Sequence, residues 1–481
     1  MRCFCILCAI VAGAVAALML LFPADARAQS KPVSFISDVA PILKENCFAC
    51  HDAKKRSGKL DMTSFEKFLA GGASDSPVAA GKPEDSYLLE LVAARGQKRM
   101  PPEGKGQPLS KQQVGVIERW VKEGAKLDGG MDPKSDLVRE LRLRWKPPAP
   151  PASYPFPTIV NAVTFTPDNK QIVAGGHHEL TVWNIADGKL VKRVFTRAER
   201  AYGLVFLPGG QLVVAGGRPG EEGDVRVYDL NGPGKTANGI TVLNGVDDPK
   251  VMLKQLLDAD DSVLALALSP DGKRLAAGGC DRVVRVWDVG SGYAAAKLEQ
   301  SIENHADWVL GLALAADGKH LFTASRDKTA KVWDLAAKES VLTFPDHQAP
   351  VYGVAVKADG KTGFSVGEDK QLRAWNATGE GKQVRATGGH SDAVLKLVAH
   401  PTQPLLLTAS ADKTVQVWNA DTGKSVRTLS GLSDHVFALA VSPDGTLVAA
   451  GSYAGEVEVW KLADGAVVKA FNASPGFVAK K

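Results

Sequence analysis

Apolar residues change their spacing several times along the 481-residue chain. The first stretch, residues 3–22, is almost unbroken after Met1 and Arg2, and it ends at Pro23 and Ala26-Arg27-Ala28. From Ile36 the spacing turns helical: Ile36, Val39, Ile42 and Leu43 share one face, residues 85–92 read as a second helix, and Val114, Ile117, Trp120 and Val121 line a third. Ser110 with Gln113 predicts a capping box at the start of that third helix. A charged helix is expected over residues 136–145, and Pro147, Pro148, Pro150, Pro151, Pro155 and Pro157 then impose extended backbone. Short apolar strands follow, parted by turns such as Pro270-Asp271-Gly272 and Pro443-Asp444-Gly445.

The opening segment reads as a secretory signal over residues 1–28, cleaved near Ala28. Its apolar run is as long as the roughly 20 residues a membrane span needs, so a retained anchor is the alternative, and only that would bring a membrane into play. The mature chain is expected in the periplasm or otherwise exported. Composition changes this picture little: 45% apolar and 23% charged is ordinary for globular chains. The formal charge of +5 is too small and too dispersed for a nucleic-acid partner.

Cleavage removes three of the six cysteines and leaves Cys47, Cys50 and Cys280, too few for a disulfide framework. Cys47-Phe48-Ala49-Cys50-His51 has the spacing of a c-type haem attachment site. Two thiols three apart on one turn can each bond a vinyl group, and the adjacent His51 falls under the iron. The competing readings are a redox dithiol, which wants a βαβ context, and half of a zinc site, which wants a second ligand pair. A second axial ligand is commonly Met in electron carriers. Met100 sits in Arg99-Met100-Pro101-Pro102, where two prolines make an extended rail, whereas Met62 lies only eleven residues past His51. A core role for Met100 is the alternative.

Residues 34–126 resemble the planctomycete-type cytochrome c domain, on Cys47-Phe48-Ala49-Cys50-His51, Gly71-Gly72, Gly81-Lys82-Pro83, Ser86, Leu88-Leu89, Met100-Pro101-Pro102, Trp120 and Gly124-Ala125. The resemblance implies one covalently attached haem c with His51 and Met100 as axial pair, and Cys47 and Cys50 as attachment thiols. Lys54, Lys55, Arg56, Lys59, Lys98 and Arg99 flank this site and would steer an acidic redox partner if they ring an exposed haem edge; a solvated surface is the other reading.

Farther along, Trp183-Asn184, Tyr228-Asp229, Trp287-Asp288, Trp333-Asp334, Trp375-Asn376, Trp418-Asn419 and Trp460-Lys461 recur at spacings of 45, 59, 46, 42, 43 and 42 residues. That period and dipeptide resemble the WD40 family over residues 158 to about 472, which implies seven four-stranded blades. The long spacing is expected to hold an insert over residues 247–261, between blades 2 and 3. Both end blades read as contiguous, so no strand is lent to close the ring. His305, Ser325, Asp327 with Trp333, and His390, Ser410, Asp412 with Trp418, imitate catalytic triads, but their repetition marks structural relays. Blade 5 lacks the serine at Gly367, and blade 7 has Leu432 and Ala454 where His and Asp would stand. His177 and His178 are weak candidates for metal ligation.

The expected architecture is multidomain: a signal over 1–28, a small all-α cytochrome c-like domain over 32–127, a charged helix and Pro-rich linker over 128–157, and an all-β seven-bladed WD40 propeller over 158–475. The expected function is electron transfer, with the propeller binding a protein partner and no enzymatic activity. The alternative is a periplasmic redox enzyme whose propeller holds a second cofactor or substrate, as haem c domains joined to propellers do in cytochrome cd1 nitrite reductases. A scaffold with a purely structural haem is a third reading.

Overall fold

The computed structural model describes residues 31–478; the expected signal over 1–28 lies outside them. The chain divides into two compact units between Trp145 and Lys146.

The first unit is helical. A π-helical turn, Phe35–Val39, runs into α1, Ala40–Asn46, and four more helices follow: α2, Phe65–Ala70; α3, Tyr87–Ala93; α4, Lys111–Lys122; and α5, Leu137–Arg144. Ile36, Val39, Ile42 and Leu43 are all buried, as their spacing requires. The centre is aromatic: Phe35 packs 4.8 Å from Phe65 and 5.3 Å from Trp120, centroid to centroid. Trp120 is 1% exposed, and its indole N–H donates to Lys126 O at 2.9 Å, so the buried ring has no unpaired polar atom. Removing such a ring costs about 3–5 kcal/mol.

The capping box forms as expected, with Gln113 N–H donating to Ser110 Oγ and Ser110 N–H to Gln113 Oε1. α3 begins two residues late because Pro83–Asp85 make a separate 3₁₀ turn, and Ser86 Oγ binds Ala79 N–H and Lys82 O around it. α5 corrects the expected linker. Its Leu137 is 1% exposed and belongs to the same core as Phe35 and Trp120, so the charged helix is part of the first unit.

The second unit is a ring of seven antiparallel blades. Blades 3–7 are separate four-stranded sheets spanning 263–303, 309–344, 351–387, 394–429 and 436–472. Blades 1 and 2 share one long strand, Leu190–Phe206, whose first half closes blade 1 and whose second half opens blade 2. The first strand of each blade packs against the first strand of the next, and blade 7 meets blade 1 the same way. Among the described residues, closure borrows no strand. Instead, the segment before blade 1 lies along blade 7, where Tyr154 N–H donates to Pro475 O and Val160 N–H to Ser452 O.

The insert is not where the sequence pattern put it. Met252–Ala259 is the outermost strand of blade 2, paired with Glu222–Tyr228. Bulges within that pairing break the period-two pattern that would have marked it. The extra residues lie earlier, as a hairpin of Lys235–Ala237 and Ile240–Asn244 turning at Asn238-Gly239, both with positive φ. Its second strand pairs in parallel with Lys192–Phe195 and covers the outer edge of blade 1.

Outer strands also tie neighbouring blades through a repeated side-chain latch. Lys192 Nζ donates to Leu230 O at 2.8 Å and Arg385 Nη2 to Ala420 O at 3.1 Å; Gln300 and Arg427 bind Leu335 O and Leu462 O likewise. Each acceptor lies two residues past the next blade's aromatic, Tyr228, Trp418, Trp333 or Trp460.

Candidate functional site

The attachment motif forms a tight turn at the end of α1. Cys47 caps that helix, and the N–H groups of Cys50 and His51 both donate to Cys47 O at 3.1 Å. Phe48, 6% exposed, anchors the turn in the helical core, while Cys50 is exposed and Cys47 half-buried, both as free thiols. Burial, and then the neighbouring Cys50, push the Cys47 thiol up to about 12. The pair follows α1 in a unit whose described elements are all helical, not the βαβ context that a thioredoxin-like dithiol has.

His51 follows directly, and its buried Nδ1 has no hydrogen-bond partner. An unpaired buried polar atom costs about 1–3 kcal/mol. Among the described residues, no group engages that nitrogen. The residues therefore fit a haem: two thiols on one turn, and an imidazole beside them with a nitrogen left unengaged. A closed zinc site does not assemble, since no group of three or more His, Cys, Asp or Glu could hold a metal ion among the described residues.

Met100 lies on the rail after α3, half-buried, with its N–H donating to Leu91 O at 3.0 Å. Arg99 braces the same loop, its guanidinium donating to Pro101 O at 2.8 Å and Gly106 O at 3.2 Å. It is a loop strut rather than part of a free basic rim. Lys54, Lys55, Arg56, Lys59 and Lys98 are exposed. Met62 is 1% exposed within the core, and its N–H donates to His51 O at 2.8 Å. Several other residues of the resemblance have architectural roles. A Cβ on Gly72 would stand 2.4 Å from Gly58 O, and Gly81 has φ +80°.

In the propeller the relays form, with a correction to their hydroxyl member. His305 Nδ1 meets Asp327 at 2.8 Å, but its Nε2 meets Thr323 Oγ1 at 2.7 Å, and Trp333 Nε1 donates to the same hydroxyl. Thr408 takes that place between His390 and Trp418. Ser325 and Ser410 instead bind turn backbone. Blade 5 is complete after all, with Ser365 joining His347 and Trp375. Each Ser/Thr oxygen serves the Trp indole and the His ring at once, inside a buried blade, which is bracing rather than catalysis.

His177 and His178 have ring centroids 4.7 Å apart, but His178 is buried against Arg197 O, and among the described residues they belong to no group of three or more metal-ligating side chains. Cys280 is half-buried, and burial, then Asp261, push its thiol up to about 12. Sequence reasoning passed over a buried cluster in blade 1, where Tyr154 OH donates to Glu179 Oε1 at 2.6 Å and Arg193 binds both Glu179 and Pro151 O.

A family model described as "Planctomycete cytochrome C" matches residues 47–104, which contain Cys47, Cys50, His51 and Met100. The "WD domain, G-beta repeat" model matches 252–288, 296–334, 338–376, 381–419 and 423–461. The first of these begins at the outer strand of blade 2. Among similar proteins is "U3 small nucleolar RNA-associated protein 12" of Saccharomyces cerevisiae, 32% identical over 133 residues, 27% of this chain and 12% of that protein. "Protein groucho" of Drosophila melanogaster is 24% identical over 136 residues, 28% of this chain and 16% of that protein. "WD repeat-containing protein 26 homolog" of the same fly is 38% identical over 77 residues, 15% of this chain and 12% of its own length. The chain thus spans less than a fifth of each relative.

Proposed function

We propose that this chain, a planctomycete-type cytochrome c domain joined to a WD40 propeller, is an exported one-electron carrier that docks on protein partners through its propeller. The observation that supports this best is the turn holding Cys47, Cys50 and His51 together, with a ring nitrogen of His51 unengaged. A haem attached there supplies a reversible one-electron change at its iron. Cys47 and Cys50 would hold it covalently, and His51 and Met100 would fill the axial positions. With both filled, the site has no open position for a substrate, so the chain is a carrier and not an enzyme. The exposed Lys54, Lys55, Lys59 and Lys98 favour an acidic redox partner. Export follows from the apolar segment 1–28, and the mature protein works in the periplasm or an equivalent compartment.

The test is expression in a host that matures c-type cytochromes, followed by a denaturing gel stained for haem peroxidase and a redox titration. A stained, reversibly reducible band with the spectrum of a single haem is expected. An unstained band overturns the haem reading, and bands of a second cofactor would favour the enzyme instead.

A further inference from the structure

The innermost strands of the propeller carry a repeated irregularity. In six of them the pairing skips one residue near the start: Tyr202, Leu264, Leu310, Tyr352, Leu395 and Phe437. A bulge leaves its extra residue out of the ladder and re-aims the side chain. All six are large, four have no ionisable group and two carry a phenol, and all are half-buried, while the residue before each is buried in its blade. Because first strands pack side by side around the ring, these residues follow one another about its axis as a collar of four apolar and two tyrosyl side chains, with Tyr352 OH donating to Glu368 Oε2 at 3.2 Å.

Just past the collar, in blade 6, stands Lys396. It is the only charged residue in the seven innermost segments, Val163–Phe165, 201–206, Val263–Leu268, Val309–Leu314, Val351–Val356, Val394–Ala399 and Val436–Val441. The other bulged strands have Gly or Ala at its position: Gly203, Ala265, Gly311, Gly353 and Ala438. Burial holds its ammonium below the usual lysine range, with no carboxylate acting against that. Large apolar side chains on the surface continue outward from the collar. Trp308, 37% exposed, lies under the Arg326 guanidinium at 4.1 Å, and Tyr453, 51% exposed, stands 6.2 Å from Phe437.

We infer that the collar and Lys396 form a docking site for a protein segment that presents a carboxylate side chain between apolar residues. The inference rests on the reading of the propeller as a protein-docking platform and names the chemistry of what docks. The uncompensated cation selects a carboxylate, the collar selects apolar flanks, and the exposed Trp308 and Tyr453 extend the surface beyond what a small molecule would cover.

The test pans a phage-displayed library of random linear peptides on the full-length holoprotein and measures the selected peptides against variants. Selected sequences are expected to share Asp or Glu between apolar residues. Lys396→Met, and replacement of the peptide's acid by its amide, should each weaken binding about tenfold, with Lys396→Arg retaining it. Leu310→Glu, a second variant on another blade, should weaken it similarly, with melting curves confirming that each variant is folded. Peptides that bind Lys396→Met and Leu310→Glu as well as the parent overturn the collar site while leaving the platform intact. Peptides without an acidic consensus overturn it too. Failure to select any peptide counts against both readings.

Discussion

His347 Nε2 lies 2.7 Å from Ser365 Oγ, and that serine stands two residues before Gly367, where the sequence pattern of blade 5 has no hydroxyl. The relay therefore needs its hydroxyl ten residues before the Trp, not eight. Ser365→Ala leaves His347 Nε2 and the Trp375 indole N–H unpaired in a buried blade, while His347 Nδ1 keeps Asp369, and should cost about 1–3 kcal/mol per orphaned group. Gly367→Ser, which would restore the pattern seen at Ser325 and Ser410, should destabilise instead. A Cβ there would meet Pro350 O at 2.2 Å. Thermal or urea denaturation of the two variants checks both signs.

Met100→Ala should separate attachment from ligation. On the proposed reading, covalent haem should persist, because Cys47 and Cys50 are untouched, while the reduction potential should fall, since a Met ligand raises it. The ferric protein should then bind cyanide rapidly. A potential and cyanide affinity equal to the parent would return Met100 to the role of a core residue.

Stability should fall with pH in two stages. Burial lowers His390, with Asp412 opposing, so its folded value lies below the unfolded one. Its contribution is complete above about 6.5 and is lost as pH falls from there through the folded value. Burial works to raise the carboxyls of Asp327, Asp369 and Asp412, but hydrogen bonds that include those from His305, His347 and His390 outweigh it and hold all three below the usual range. Their contribution is complete above about 4 and is lost as pH falls through their folded values. Denaturation midpoints measured from pH 8 to pH 3 should show a shallow decline and then a steep one. A flat profile to pH 3 would contradict the relays.

Excising the hairpin of Lys235–Ala237 and Ile240–Asn244 bares the outer edge of blade 1, which its second strand covers. An unpaired edge invites pairing between chains. Light scattering should report oligomers or aggregates with a short Gly-Ser bridge in place of the hairpin, against a monodisperse parent.

Much of this was legible in the sequence, and the failures have physical causes. Periodicity located α1 and α4 because each buries a regular stripe, such as Ile117, Trp120 and Val121. α2 escaped because six residues give no measurable period, although Ser64 before Phe65 and Phe68 was a visible cap. The hairpin signal Asn238-Gly239 was in plain view, but the apolar residues near Val251 drew attention to the next segment, which is an ordinary outer strand. Ser325 and Thr323 lie two apart on one strand and so share a face, which leaves the alternation silent on which one meets the indole. For the haem site, spacing gave Cys47, Cys50 and His51 at once, since one turn contains all three. Met100 depends on a distant loop, and only its prolines and the resemblance singled it out.

The manner of closing the ring has a consequence for how the chain can be rewired. Its two ends meet along blade 7 without sharing a strand, so joining them and opening the backbone at any loop between blades 2 and 7 would leave every sheet whole. Circular permutants cut at those five places should fold. A cut between blades 1 and 2 would sever the strand Leu190–Phe206 that both own, and there the order of the gene is fixed by the architecture.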